Sequence, residues 1–212
     1  MPTLRAVLFD FGGVLSTSPF VAFNRYEREH GLPADFLRRV NATNPHDNAW
    51  SRLERGEVDM DAFDARFRSE STALGHEVSG RDVLALLAGD IVPEMIDAVR
   101  ACRTEFKTGL LTNNFVGMGG FGGGPRNDAV GEVLALFDVV VESSQVGVRK
   151  PDPRFYEMAC EQLEVEAKEA VFLDDLGVNL KPAAAMGMTT IKVVSPDQAL
   201  ADLETATGLT LR

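Results

Sequence analysis

The sequence predicts an α/β protein: a doubly wound parallel sheet with a wholly helical insertion after the first strand. Three observations carry that reading. Short runs at 4–9, 108–112, 138–142, 170–173 and 189–194 are near-continuously apolar, as strands covered on both faces must be. Helix-length segments at 93–104, 128–136, 153–163 and 180–186 lie between them, and such alternation implies a parallel sheet with helices on both faces. From about 19 to 88 the helical pattern dominates and no buried strand interrupts it.

The first strand closes on Asp10 and runs into the turn Phe11-Gly12-Gly13-Val14. Ligands of open α/β sheets bind beyond the carboxyl ends of the strands, so a carboxylate placed there is a candidate for chemistry. Residues 18–89 then form the insertion, and 1–17 with 90–212 form the core. Within the insertion Ser51-Arg52-Leu53-Glu54-Arg55-Gly56-Glu57 is a charged block, while Trp50, Leu53, Phe63 and Phe67 supply apolar faces that read as the lobe's own core. The second strand ends in Thr112-Asn113-Asn114, followed by the low-complexity run Met118-Gly119-Gly120-Phe121-Gly122-Gly123-Gly124-Pro125, either a surface loop or a flap beside that strand end. Lys150 follows the third strand, and the fourth ends in the pair Asp174-Asp175.

A chain of 212 residues fits one domain with a full core, or one domain carrying an insertion. The net charge of -11 repels polyanions, which argues against nucleic acid or an anionic membrane as partner. A small phosphorylated substrate remains compatible, because a local cation overrules a global field. Cys102 and Cys160 have no second ligand at metal spacing and read as reduced, half-buried helix residues. The opening MPTLRAVLFD has an apolar stretch too short to span a bilayer, with no cleavage pattern after it, so a cytoplasmic protein is expected. No heptad signature marks an oligomer interface.

Each polar strand end has an ordinary reading by itself: turn residues at Asp10 and Thr112-Asn113-Asn114, a solvated charge at Lys150, a helix cap at Asp174-Asp175. Together they converge, because the carboxyl ends of central strands in a doubly wound sheet face one crevice. Three carboxylates in that space would raise one another's pKa values unless a cation sits among them. Mg²⁺ suits oxygen ligands and phosphate oxygens, whereas His30, His46 and His76 are isolated and offer zinc or copper no site. A carboxylate nucleophile such as Asp10 can accept a phosphoryl group as an aspartyl-phosphate, with Lys150 and the Thr112-Asn113 pair stabilising the charged oxygens.

The segments VLFDFGGVL, LLTNN, VGVRKPDP and FLDDLGVNLKPAAAMGM stand in the order of the four haloacid dehalogenase superfamily motifs. The chain resembles that family across its core, and within it the phosphatase domain at the N-terminus of soluble epoxide hydrolase and its bacterial stand-alone relatives. The resemblance implies a Rossmann-like core with a helical cap. It also implies Asp10 as nucleophile, Thr112 and Asn113 as phosphate ligands, and Lys150 bridging nucleophile and phosphate. Asp175 would bind Mg²⁺ directly, Asp174 would help hold its waters, and the Gly12 carbonyl would be a further ligand.

The sequence departs from the family at Gly12, where its phosphatases usually carry a second aspartate that protonates the leaving oxygen and then activates water. Such a group typically contributes about 10² to 10⁴ in rate, roughly 3 to 5 kcal/mol of barrier. One expectation is therefore a slow or specialised phosphatase relying on a good leaving group, on water, or on a residue such as Ser16. A second is a catalytically weak protein that binds a phosphorylated ligand or a protein partner. A third is a 2-haloacid dehalogenase, which suits Gly12 but has no use for the Asp174-Asp175 pair. Trp50, Arg52 and Arg55 are expected near the substrate side of the cap, although Arg52 and Arg55 equally fit a solvated face paired with Glu54 and Glu57.

Overall fold

A computed structural model describes residues 3–115 and 125–211; the loop or flap expected at 117–124 lies outside them. Five parallel strands form one sheet: β1 (Ala6–Phe9), β2 (Lys107–Thr112), β3 (Val139–Glu142), β4 (Ala170–Asp174) and β5 (Thr189–Lys192). Their spatial order is β3-β2-β1-β4-β5. The chain therefore winds outward from β1 to β3, then returns to lay β4 on the free side of β1. The reversal between β1 and β4 is the point at which such sheets open a ligand crevice.

Five helices separate β1 from the rest of the core: α1 (Phe20–Glu29), α2 (Phe36–Ala42), α3 (Ala49–Glu54), α4 (Met60–Ala73) and α5 (Gly80–Ala85). After them come α6 (Pro93–Cys102), α7 (Pro125–Leu134), α8 (Ser143–Val146), α9 (Pro153–Leu163), α10 (Gly177–Ala185) and α11 (Pro196–Thr207). The ends of several are written in the sequence. Asp152 and Ser195 accept the Arg154 and Gln198 amides at the starts of α9 and α11, and proline takes the first helical position in both. Helix α10 begins three residues earlier than the sequence pattern indicates, because Gly177 and Val178 already belong to its first turn.

Successive side chains of a strand point to opposite faces, which sorts the apolar runs into two layers. Val7, Phe9, Leu110, Val171 and Leu173 pack with α6 and α11 on one face. Ala6, Leu8, Leu111 and Phe172 pack with α9 and α10 on the other. Both faces are covered, which is why the runs read as continuous rather than alternating. Cys102 and Cys160 belong to these two layers and are buried, more deeply than expected from sequence, and burial raises their thiol pKa values to about 12 and about 11.

The inserted helices hold a third apolar cluster of their own, built around Phe23, Phe36, Leu53, Phe63 and Phe67. The ring of Trp50 packs edge-on against Phe63 at its border, with centroids 5.9 Å apart. The chain enters and leaves this lobe side by side: Thr17 N–H donates to the Asp90 carbonyl at 2.8 Å, and Asp90 N–H to Thr17 Oγ1 at 3.0 Å. Truncating the fully buried Phe63 to alanine removes a ring enclosed by Phe67 and Trp50. Phe63→Ala should lower stability in a urea titration by about 3–5 kcal/mol, and an unchanged midpoint would remove Phe63 from the lobe's core.

Candidate active site

Pairing of Phe9 with Leu173, extended by the Asp10 N–H bond to the Leu173 carbonyl at 2.9 Å, makes β1 and β4 end level with each other. Asp10 and Asp174 therefore emerge side by side at the switch point. Between them lies the Lys150 ammonium, 2.8 Å from Asp10 Oδ1 and 2.8 Å from Asp174 Oδ2. Lys150 is 1% exposed and Asp174 fully buried, so these charges are shielded from water and depend on one another. The Lys150 ammonium also faces the Phe172 ring, 5.5 Å from its centroid.

Side chains at the neighbouring strand ends fix this arrangement. Asn113 Nδ2 donates to the Lys150 carbonyl at 3.1 Å and Asn113 Oδ1 accepts the Lys150 amide at 2.9 Å. The Asn113 side chain is thus committed to holding Lys150, and any contact with phosphate falls to its main chain. Thr112, the last residue of β2, is buried at the same edge of the sheet. Asp174 receives Lys150 and Asn179 Nδ2 on Oδ2, and Leu176 N–H and Asn179 Nδ2 on Oδ1. A carboxylate has about four acceptor sites, so Asp174 is saturated by the protein and acts on the crevice through its charge.

Asp175 completes the cluster: one carboxylate oxygen from each of Asp10, Asp174 and Asp175 falls within a 4.8 Å group. Gly13 makes this approach possible. Its φ of +77° favours glycine, and a Cβ there would fall on the Asp175 carboxylate. Gly12 is different, since its backbone is ordinary and a Cβ would meet no described residue within 4 Å. The Ser16 hydroxyl turns away, donating to the Phe11 carbonyl at 3.4 Å within a bridge that links Gly12, Ser16 and Ile91.

Three carboxylates face one ammonium, and the imbalance appears in their protonation. Burial, aided by the charges of Asp174 and Asp175 and opposed by Lys150, raises the Asp10 pKa to about 8. Burial and Asp174 raise Asp175 to about 6, with Lys150 and the nearby Ser18 hydroxyl acting in the other direction. Lys150 moves up despite the opposing effect of burial, because Asp10 and Asp174 hold its proton. A divalent cation fits this donor set: all ligand atoms are hard oxygens, and one double charge offsets the surplus.

Sequence reading did not find the outer supports. Asn179 clamps both oxygens of Asp174, and its own carbonyl accepts the Tyr156 hydroxyl at 2.6 Å. An amide in the first turn of α10, directly after the carboxylate pair, was the available signal. Arg149, next to Lys150, pairs with the buried Glu54 of α3 at 2.5 Å and reaches the Pro45 carbonyl at 3.3 Å. Trp50 Nε1 donates to Glu54 at 2.9 Å, whereas Arg52 and Arg55 are held by Asp47 and Glu57 in part-exposed pairs; Glu54, expected as a partner of that face, is buried and pairs with Arg149 instead.

A family model for haloacid dehalogenase-like hydrolases matches residues 4–187. The chain is 34% identical to bifunctional epoxide hydrolase 2 of Mus musculus over 97% of its own length and 39% of the relative's, and 27% identical to the sesquiterpene phosphatase astK of Aspergillus oryzae over 88% of each. It spans less than half the length of the first curated relatives it matches. A HAD family enzyme from Bacteroides thetaiotaomicron, solved with magnesium and inorganic phosphate, shares the fold with a TM-score of 0.57 and 19% identity, covering 91% of this chain and 96% of that one. The chain belongs to the haloacid dehalogenase-like hydrolases.

Cation binding should be coupled to protons with a definite sign. Asp10 and Asp175 have folded pKa values of about 8 and about 6, above the ordinary 3.8, so the metal-free fold holds protons that the unfolded chain releases. In EDTA the stability these groups contribute should be full below pH 3.8 and lost as pH rises to 8; a divalent cation such as Mg²⁺, which would bind the ionised carboxylates, should restore it most at the alkaline end. Thermal melts at pH 5, 6.5 and 8 with Mg²⁺ or EDTA check this, and a Mg²⁺ effect that shrinks toward pH 8 would contradict it.

Proposed function

We propose that this haloacid dehalogenase-like hydrolase is a Mg²⁺-dependent phosphohydrolase that acts on a small phosphorylated compound, with Asp10 as the phosphoryl acceptor. The observation that carries the reading is the buried Asp10–Lys150–Asp174 array with Asp175 beside it. The phosphatase among the relatives and the magnesium and phosphate in the Bacteroides structure support it. The cap is residues 18–89 and the core 1–17 with 90–212, a division supported by the separate apolar cluster and by the paired linkers at Thr17 and Asp90.

Asp10 Oδ1 accepts the Phe11 amide at 2.7 Å as well as the Lys150 ammonium. This pins the carboxylate and leaves Oδ2 for attack on phosphorus. Lys150 keeps its proton and supplies fixed positive charge beside the transferring group, in a site that needs no reorganisation when charge develops. Thr112 and the Asn113 main chain face the phosphoryl oxygens from the β2 end. Asp10, Asp175 and the Gly12 carbonyl would hold Mg²⁺, which would neutralise the carboxylate surplus and the phosphoryl charge. Asp175, free of the clamping that holds Asp174 and placed to hold a cation with the charge of Asp174 behind it, disfavours the dehalogenase reading.

Gly12 favours one other reading, a catalytically weak protein that binds a phosphorylated ligand or a partner through the crevice and cap. Phosphate release from p-nitrophenyl phosphate and from acetyl phosphate separates the two. The native chain should turn over with Mg²⁺ and stop in EDTA. Asp10→Asn should reduce turnover by at least about 10³-fold while keeping the native circular dichroism spectrum. Turnover unaffected by Asp10→Asn would remove Asp10 from the chemistry, and silence on both substrates would favour the binding protein.

A further inference from the structure

Displacing an oxygen from phosphorus leaves an electron pair on that oxygen. An alkoxide needs a proton in the transition state, whereas a carboxylate or a phenolate departs as the anion. The groups around Asp10 therefore select the substrate by whether any of them can donate. Lys150 is clamped by two carboxylates that hold its proton. Asp174 is saturated by four donor contacts, and Asp175, with the Ser18 hydroxyl beside it, would be ionised on the cation it helps to hold. The Asn113 amide is spent on the Lys150 backbone, and the Ser16 hydroxyl on the Phe11 carbonyl. Glu54 is the partner of Arg149 and Trp50. At position 12 a side chain would have open space beside the nucleophile, and the residue there is glycine.

Resting on the phosphohydrolase reading above, we infer that the substrates of this chain are phosphoryl compounds whose leaving group departs unprotonated: acyl phosphates and aryl or enol phosphates, not alkyl phosphates. Asp10 Oδ2 forms a bond to phosphorus while the phosphorus–oxygen bond to the leaving group breaks, and the electron pair leaves as carboxylate or phenolate. No proton moves in this step. Water then bonds to phosphorus, the Asp10–phosphorus bond breaks with its electron pair returning to the carboxylate, and the protons of the water stay with the released phosphate and the solvent. The second step is the same for every substrate and has no positioned base, so it limits kcat. Leaving-group chemistry is then read in kcat/KM and in the rate of an initial burst.

A series of ring-substituted phenyl phosphates, with acetyl phosphate and glycerol phosphate as acyl and alkyl members, tests the inference in the presence of Mg²⁺. Native kcat/KM should fall steadily as the leaving-group pKa rises across the series. The activated members should share one kcat and release a stoichiometric burst of phenol. Gly12→Asp, placed in open space, should flatten the series and raise glycerol phosphate turnover by about 10² to 10⁴. Asp10-dependent turnover of glycerol phosphate as fast as that of phenyl phosphates, or a flat native series, would overturn the inference and leave the phosphohydrolase reading intact. No turnover of any member, or turnover that survives Asp10→Asn, would overturn both. The native series decides the question even where Gly12→Asp fails to fold.

Discussion

The Lys150 ammonium lies out of water between two carboxylates that end adjacent strands, and much of the structure around it follows from what a buried cation needs. A buried charge is tolerable only when paired and hydrogen-bonded. Pairing requires that β1 and β4 end level, which parallel register supplies through Phe9 and Leu173. It also requires that the Lys150 backbone be fixed, which Asn113 does from β2 with two hydrogen bonds. Asp174 in turn is held by Asn179, and the Asn179 carbonyl receives the hydroxyl of Tyr156, a residue of α9. Three strand ends and two helices thus converge on one charge. The remaining negative charge, on Asp10 and Asp175, faces the crevice where a cation and a phosphoryl group would meet it.

The loop that carries Lys150 inward also carries Arg149 outward. Arg149 pairs with Glu54 of the cap, and Gly56 approaches the Ser144 carbonyl so closely that a Cβ there would fall within 2.9 Å of it. Burial raises the Glu54 pKa despite the opposing effect of Arg149, so the pair is a partly desolvated contact rather than a rim interaction. The cap is therefore seated on the segment that positions the ammonium.

The sheet was legible because strands buried on both faces have no polar alternation to obscure them, and all five apolar runs became strands. The strand-end residues, each with an ordinary reading alone, were legible as a group because the carboxyl ends of the central strands face one crevice. Residue pattern alone does not separate Asp174 from Asp175; only the family resemblance gave them different roles. They are adjacent and chemically identical, yet Asp174 ends β4 fully buried against Lys150 while Asp175 stands beyond the strand against Gly13. That difference is set by strand parity and by a helix that begins two residues after Asp175. The Glu54–Arg149 pair was illegible for another reason: its members are 95 positions apart in chain segments with no shared periodicity, and only the folded chain brings them together.

The two glycines after Phe11 look interchangeable in sequence and are not. Gly13 is demanded by the backbone, with positive φ and Asp175 where a side chain would go. At Gly12 the backbone makes no such demand, and the space beyond its Cα is open. Glycine costs conformational entropy and is retained where geometry needs it; at Gly12 geometry does not. The residue must then be explained by what a side chain there would do rather than by where the chain must go. In a crevice lined by Asp10, Asp174 and Asp175, a fourth carboxylate would add negative charge beside groups whose pKa values are already raised. With glycine there, the surplus stays at what Lys150 and one divalent cation would balance, and the proton demand of the proposed reaction would fall to the chemistry of the substrate.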